Sequence, residues 1–374
     1  MTTIKEVAKR AGVSVGTASN VINGAVPVSP ARRELVLAAI RDLGYQPSDV
    51  ARSLKLRRTH MLGLVVSDIT NPFFAQLVRG AEEAALAEGY LLLTFNTDDR
   101  IEREKHVLGV LRGRRVDGIL LVVAPMRGAS SHIAETIARG TPVVCLDRVP
   151  RGVTVDSVTV DNVRAARECV EHLLEMRHRR IGILTGSMLL ATARGRLRGY
   201  RQALQAHGLS VDPELVREGD FRMESGYKLA SELLSGSGRP TALFVSNGLM
   251  AIGALRAVAD LGLRCPEDVA LATFDDLPLS EVLSPPLTSV AQPAYQMGYQ
   301  GAKILFDRIK SKRIDGPIKI RLHAQLKVRQ STACAPSMVT KCRRPEGRVS
   351  SVHVQSLGKP HKLSVPSSSH LPET

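Results

Sequence analysis

The chain has no tryptophan, and aromatic residues of all kinds make up only 3% of its 374 positions. Stacking of bases on exposed rings is therefore not how it would hold a nucleic acid. The five cysteines, Cys145, Cys169, Cys265, Cys334 and Cys342, show neither metal-ligand spacing nor a paired framework. Buried or idle thiols in a reducing compartment are expected. Apolar runs such as Met61 to Val66 are too short to span a bilayer. Lys5 arrives before any apolar stretch develops, so no secretory signal is expected and a cytoplasmic location is. Chemistry is thin as well. No Ser/His/Asp or Cys/His set stands out, Gly236-Ser237-Gly238 lacks the context of a nucleotide-binding loop, and His172 and His178 share no helix face. Neither an enzyme nor a metal or cofactor is expected.

Acidic residues are in deficit, 36 against 51 Lys and Arg, for a net charge of +15. The excess is uneven. Up to His60 ten basic residues face four acidic ones, a net of +6 on a small segment. From Ser337 to the end six face two. Such density at the N-terminus is the footprint of a polyanionic partner.

That basic segment has a readable architecture. Thr3-Ile4-Lys5-Glu6 is a capping box, and Ile4, Val7, Ala8 and Ala11 form one apolar helix face ended by Gly12. Ser14 caps a second short helix with Ala18, Val21 and Ile22 turned inward, which makes a helix-turn-helix. Ser29 and Pro30 open a third helix, with Leu35, Val36, Ala39, Ile40 and Leu43 as its buried stripe. The run Pro47 to Leu56 is helix-like but too short to persist alone.

From Met61 onward strand and helix patterns alternate. Buried strands are expected near 61–67, 90–96, 117–124, 142–146, 180–185, 241–246 and 268–274. Helices are expected near 73–88, 101–113, 130–139, 162–177, 194–207, 224–235, 248–261 and 294–310. This is βαβ patterning, and it calls for parallel sheets covered on both faces. Two Rossmann-like lobes with a cleft between them hold so many elements, with Val149 to Val160 as a crossing segment. Beyond Ser337 periodicity vanishes into Ser, Pro and basic residues, which reads as disorder.

The opening TIKEVAKRAGVS, the VARSLK run and the later NPFF, VDG, RLRGY and FDD elements resemble the lactose/purine/galactose-repressor family of bacterial regulators, from residue 2 to about 332. The resemblance implies a fold of α/β class: two Rossmann-like lobes of the periplasmic-binding-protein type, preceded by a small all-α helix-turn-helix head. It divides the chain into a DNA-binding head (1–46), a hinge helix and linker (47–60), an effector-binding and dimerisation core (61–335) and the tail (336–374). The chain would cross between lobes twice more, near 286–292 and 320–325.

The same resemblance assigns residues. Val15, Gly16 and Asn20 stand at base-reading positions, while Ser14, Thr17 and Ser19 hold phosphates; Thr3 and Asn23 complete the head's DNA contacts. Gly16 offers no side chain, and Asn20 replaces a frequent arginine, which shifts preference from guanine towards adenine. In the hinge Arg52, Leu54 and Lys55 meet DNA, Leu54 as a wedge between base pairs in the minor groove. Packing of the hinge on the core is the alternative. In the cleft the resemblance selects Phe73, Phe74, Thr192, Arg196, Phe221, Asn247 and Asp275, although Phe73 and Phe74 also read as core residues. Asp147 and Asp161 border the site, Asp161 more simply as a helix cap. Leu190 stands where purine-binding members carry arginine, and Gly248 where aspartate is usual. A facing guanidinium and carboxylate suit a polyol.

The expectation is thus a DNA-binding transcriptional regulator of the repressor type, a homodimer on a pseudo-palindromic duplex operator in the nucleoid, controlled by a sugar-like effector. A solute-binding protein of the transport class is the alternative. Glu82-Glu83 and Asp98-Asp99 read as solvated surface.

Overall fold

The computed structural model describes residues 2–23, 26–45, 58–310 and 316–332. The hinge positions Arg52, Leu54 and Lys55 and the expected tail lie outside these residues.

Three helices make the head: α1 (Ile4–Ala11), α2 (Val15–Asn23) and α3 (Pro30–Asp42). The capping box closes as the sequence requires, with Thr3 N donating to Glu6 Oε2 at 2.7 Å and Glu6 N to Thr3 Oγ1 at 3.4 Å. These bonds hold the Glu6 carboxyl below its ordinary range, the backbone bond from Thr3 contributing most. Gly12 ends α1 at φ 65°, the left-handed conformation that glycine adopts without steric cost. Val7, Ala8, Ala11, Ala18, Val36 and Ala39 form the small core. Two expectations for α3 fail. Leu35 is 55% exposed, and its neighbour Val36 takes the inward position. Ser29 makes no side-chain capping bond, and Pro30 opens the helix without one.

The larger part contains two six-stranded sheets. The first uses β1 (Met61–Val66), β2 (Leu91–Asn96), β3 (Gly118–Leu121), β4 (Val143–Leu146), β5 (Asp156–Val160) and a late strand, β11 (Lys319–Leu322). Their order is β11-β5-β4-β3-β1-β2, all parallel. The second uses β6 (Ile181–Thr185), β7 (Val216–Glu218), β8 (Ala242–Val245), β9 (Ala270–Phe274), β10 (Thr288–Ala291) and β12 (Gln325–Lys327). Its order, β12-β10-β9-β8-β6-β7, repeats the first, with only β12 antiparallel. Strands such as β3, β4 and β8 are buried along their whole length, the mark of sheets covered on both faces.

The covering helices are α4 (Pro72–Ala87), α5 (Ile101–Gly113), α6 (Ser131–Ala138) and α11 (Ala294–Lys310) on the first lobe. The second carries α7 (Asn162–Glu175), α8 (Ala191–Ala206), α9 (Met223–Leu234) and α10 (Gly248–Asp260). Helices α4 and α11 touch backbone to backbone. A Cβ on Gly80 would lie 2.0 Å from Tyr295 O, and one on Gly298 would lie 1.9 Å from Leu77 O. The chain passes between lobes after β5, after β10 and between β11 and β12. Val149 to Val160 is therefore no crossing segment: its second half is β5, paired with β4, and the passage comes at Asp161. The second passage follows β10 at Gln292-Pro293, and the third falls within the expected 320–325.

Candidate functional site

In the head the N-terminal turn of α2 is the exposed part. Ser14, Val15 and Gly16 are exposed, Thr17, Ser19 and Asn20 half-buried. Ser14 Oγ accepts from Thr17 N at 3.1 Å and shares a hydrogen bond with Thr17 Oγ1 at 2.9 Å. Both hydroxyls thus hold the helix start, where free backbone N–H groups favour anions. Val15, 44% exposed, presents two methyl groups. Asn23 is the last residue of α2, and exposed Thr3 caps α1.

All seven residues expected at the effector site line one cleft between the lobes, enclosing about 500 Å³ including its open mouth. They reach it from sequence-distant segments: six follow a strand's C-terminal end or open the helix after it, where parallel α/β sheets bind ligands, and Arg196 reaches in from the second turn of α8. Phe73 and Phe74 open α4 behind the cap Asn71, whose Oδ1 accepts from Phe73 N at 3.0 Å. Phe74 is core as well as wall, 4% exposed. Asp147 follows β4 and Asp275 follows β9, matching positions in the two sheets, and both adopt left-handed φ, 61° and 75°. Phe221 does so too, at φ 68°, and its ring lies over Gly186, where a Cβ would meet Cζ at 2.1 Å. Such backbone strain at non-glycine residues is maintained by surrounding structure and clusters at functional sites.

Arg196, 4% exposed, is the centre of the second lobe's wall. Its Nε donates to Asn162 Oδ1 at 2.8 Å and Nη1 to Ser246 O at 2.6 Å, while the guanidinium lies 3.8 Å from the Phe274 ring centroid. Burial pulls its pKa down against the opposing pull of Asp275 and Asp147. Burial likewise raises the Asp275 carboxyl, with Arg196 and a 2.6 Å hydrogen bond from Gln292 Nε2 opposing. Asn247 is committed in part to the scaffold, since its Oδ1 accepts from Met250 N at 3.0 Å to cap α10 and its Nδ2 donates to Phe221 O at 2.9 Å. It retains one N–H and one lone pair for a ligand.

The first lobe supplies a charged wall that the sequence reading missed. Arg148, 4% exposed, donates to Asp99 Oδ1 at 2.5 Å and to Val123 O at 3.2 Å. Asp99 is therefore not simply solvated surface; it pairs with a buried arginine 49 positions away. Ser67, Asp68, Asp220, Arg222 and Gln292 also line the cleft. Asp161 is a cap, accepting from Arg164 N at 3.1 Å. His172 and His178 bond Thr332 Oγ1 and Thr241 Oγ1 away from the cleft.

The cleft also concentrates polar atoms that have no hydrogen-bond partner among the described residues. Ser67 Oγ, Asp147 Oδ1, Arg148 Nε, Thr192 Oγ1 and Gln292 Oε1 all belong to lining residues. Arg148 Nε keeps an ion-pair contact with Asp147 Oδ2 at 3.5 Å; the others are hydrogen-bonding groups that a ligand in the cleft can meet, each costing about 1–3 kcal/mol while unpaired. Among the described residues no cluster of His, Cys, Asp and Glu could hold a metal ion, and no helix is long and apolar enough to cross a membrane.

Residues 3–48 match the family described as bacterial regulatory proteins, lacI family, and residues 170–332 a periplasmic binding protein-like domain. The HTH-type transcriptional repressor PurR of Pasteurella multocida (strain Pm70) is 36% identical over 331 residues, 88% of this chain and 98% of that protein. The chain belongs to the lacI family of bacterial regulatory proteins. Solved structures agree. The transcriptional regulator CelR–cellobiose complex is 36% identical with a TM-score of 0.68, over 88% of this chain and all of that one. The lac repressor dimer bound to operator and the anti-inducer ONPF is 28% identical with a TM-score of 0.78, over 89% of this chain and 99% of that one. This lacI-family protein is accordingly a helix-turn-helix transcriptional regulator with an effector-binding core, and not a solute-binding protein of transport.

Proposed function

We propose that this regulator is a cytoplasmic, nucleoid-bound homodimeric repressor whose effector is a sugar or related polyol held between Arg196 and Asp275. The observation that carries the reading is the convergence of seven expected residues on one cleft already holding unpartnered hydroxyl, amide and carboxylate atoms. A guanidinium donates and a carboxylate accepts, so vicinal hydroxyls satisfy both. The sugar-bound CelR structure supports the same chemistry.

Val15, Gly16 and Asn20 read base edges, Ser14, Thr17 and Ser19 hold phosphates, and Thr3 and Asn23 complete the contacts. One head reads few base pairs, so two heads on a pseudo-palindromic operator supply specificity. Arg52, Leu54 and Lys55 of the hinge act at the minor groove. The effector binds one lobe arrangement better and biases DNA affinity through that difference.

A nucleobase is the second reading, favoured by the rings of Phe73, Phe74 and Phe221 along the cleft. Leu190, 4% exposed and apolar, provides no donor for it. Thermal shift of the full chain with monosaccharides, disaccharides, nucleosides and nucleobases tests both. Stabilisation by a sugar that Arg196→Ala removes is expected; stabilisation by nucleobases alone overturns the polyol reading.

A further inference from the structure

The run Val116-Asp117-Gly118 lines no part of the effector cleft, and packing accounts for two of its residues. Val116 is buried in the first lobe's core, and a Cβ on Gly118 would meet Leu305 Cδ1 of α11 at 2.7 Å. Asp117 does something else. Its Oδ1 accepts from Thr59 N at 3.0 Å and its Oδ2 from His60 N at 2.9 Å. Thr59 Oγ1, 3.3 Å from Asp117 Oδ1, also lies 3.0 Å from Arg115 O. Thr59 and His60 stand where the chain arrives from the head, and the same stretch is pinned elsewhere. Arg58 Nη2 donates to Ile309 O at 3.1 Å, and the His60 ring lies 5.0 Å from that of Tyr90, which packs on Phe306 of α11 at 5.1 Å. His60 holds φ 53°, a left-handed conformation that a non-glycine residue keeps when its surroundings impose it.

Asp117 also stands at the start of β3, whose other end reaches the cleft wall. Asp117 N donates to Met61 O at 2.9 Å, and at the far end Val123 O accepts from Arg148 Nη1 at 3.2 Å. The strand between them is buried along its length and covers about 20 Å, at roughly 3.3 Å per residue. We infer that Asp117 is a positioning residue for operator recognition: it fixes where each hinge leaves the core, and with it the half-site spacing that a dimer accepts. This rests on the homodimer and hinge reading above and deepens it. Hydrogen bonds to a carboxylate are stronger than neutral ones, and two successive N–H groups on one carboxylate fix direction as well as place. Without that carboxylate His60 loses what holds its left-handed conformation, and the residues before β1 join the tether. A longer tether spreads the two heads over a wider range of separations. The spacing preference then relaxes while each head's grip on DNA stays.

The test uses the full chain and the duplex site it selects from a random pool, together with copies of that site carrying one or two base pairs inserted at its centre. Each insertion moves the half-sites about 3.4 Å further apart and turns them about the helix axis. Gel-shift affinities on these duplexes and on random duplex are compared at one salt concentration. Wild type should lose at least tenfold on a single insertion, and Asp117→Ala threefold or less, with affinities for random duplex within twofold of each other. Asp117→Asn keeps an acceptor for one N–H group and should fall between the two; it carries the test if the alanine variant folds poorly. Asp156→Asn is the control for a weakened first lobe, since it disturbs the bonds from Arg308 and Ile318 N to β5 at 2.7 Å each. It should keep the wild-type spacing penalty. An equal penalty in wild type and both Asp117 variants, no penalty in wild type, or the same relaxation in Asp156→Asn overturns the inference and leaves the dimer reading standing. A selected site without two-fold symmetry removes the dimer reading, and this inference with it.

Discussion

Arg196→Ala is the sharpest single perturbation of the cleft. In the wild type Asn162 Oδ1 and Ser246 O take Nε and Nη1, so Nη2 is the part of the fork left for a ligand. The side chain also lies against Phe274 and is the main counter-charge of buried Asp275. Truncation removes a charge-assisted contact and leaves Asp275 facing the ligand alone. Losing one partner of a buried charged pair costs about 2–5 kcal/mol of affinity, roughly 30-fold to several thousand-fold. Stability suffers too, because Ser246 O and Asn162 Oδ1 lose their donors at about 1–3 kcal/mol each. Arg196→Lys separates the two effects: it keeps the charge and loses the fork. Calorimetry with the sugar that stabilises the wild type most, and operator binding without sugar, complete the assay. The expected order of sugar affinity is wild type, then lysine, then alanine, with operator affinity without sugar nearly constant. An alanine variant that binds the sugar as tightly as wild type refutes the assignment.

The remaining predictions concern other parts of the chain. Asn20→Ala should cost about 1–3 kcal/mol on the preferred operator and relax preference at one base pair per half-site, read by gel shift on single-base operator variants; a uniform loss on all sequences contradicts base reading. Leu54→Ala should lose operator affinity and DNA bending while keeping salt-dependent binding to random duplex; equal loss on both DNAs contradicts the wedge. Burial raises the Asp276 carboxyl, but hydrogen bonds from Arg329, Lys327 and Ser289 outweigh it and hold it at about 2. That depression from 3.8 stabilises the folded state, fully above pH 3.8 and progressively less as pH falls through about 2. Arg329→Met should remove most of it, measured as urea stability between pH 6 and pH 2; an unchanged pH profile contradicts the pair. For Asp275 the direction is opposite. Its raised carboxyl takes up a proton above the ordinary value of 3.8, so polyol affinity should fall as pH drops towards that range, and Asp275→Asn should flatten the dependence; a wild-type affinity constant down to pH 4 contradicts it.

Local signals carried far in this sequence. Thr3, Glu6 and Gly12 write the first helix with both ends, because caps are short-range chemistry. Apolar runs placed strands such as β1, β3 and β8 for the same reason. What escaped depends on distant partners. The strands β5, β11 and β12 read DSVTV, KIRL and QLK, and none is an apolar run; pairing across the sheet makes them strands. Leu35 misled because α3 carries Leu35, Val36 and Leu37 in succession, and periodicity alone does not choose among them. Asp99 read as solvated surface until the fold brought the loops after β2 and β4, strands that β1 and β3 separate in the sheet, into contact through Arg148. The seven cleft residues came from family resemblance, and their convergence is a property of the fold.

The central claim joins operator recognition to a sugar-filled cleft, and one measurement addresses both. Selection of bound sequences from a random duplex pool by the full chain gives a site, whose affinity is then titrated by fluorescence anisotropy with and without each of a sugar panel. The account predicts a pseudo-palindromic site whose affinity at least one sugar changes tenfold or more in wild type, and not in Arg196→Ala. A site without two-fold symmetry, or an affinity that no sugar in the panel moves, contradicts it.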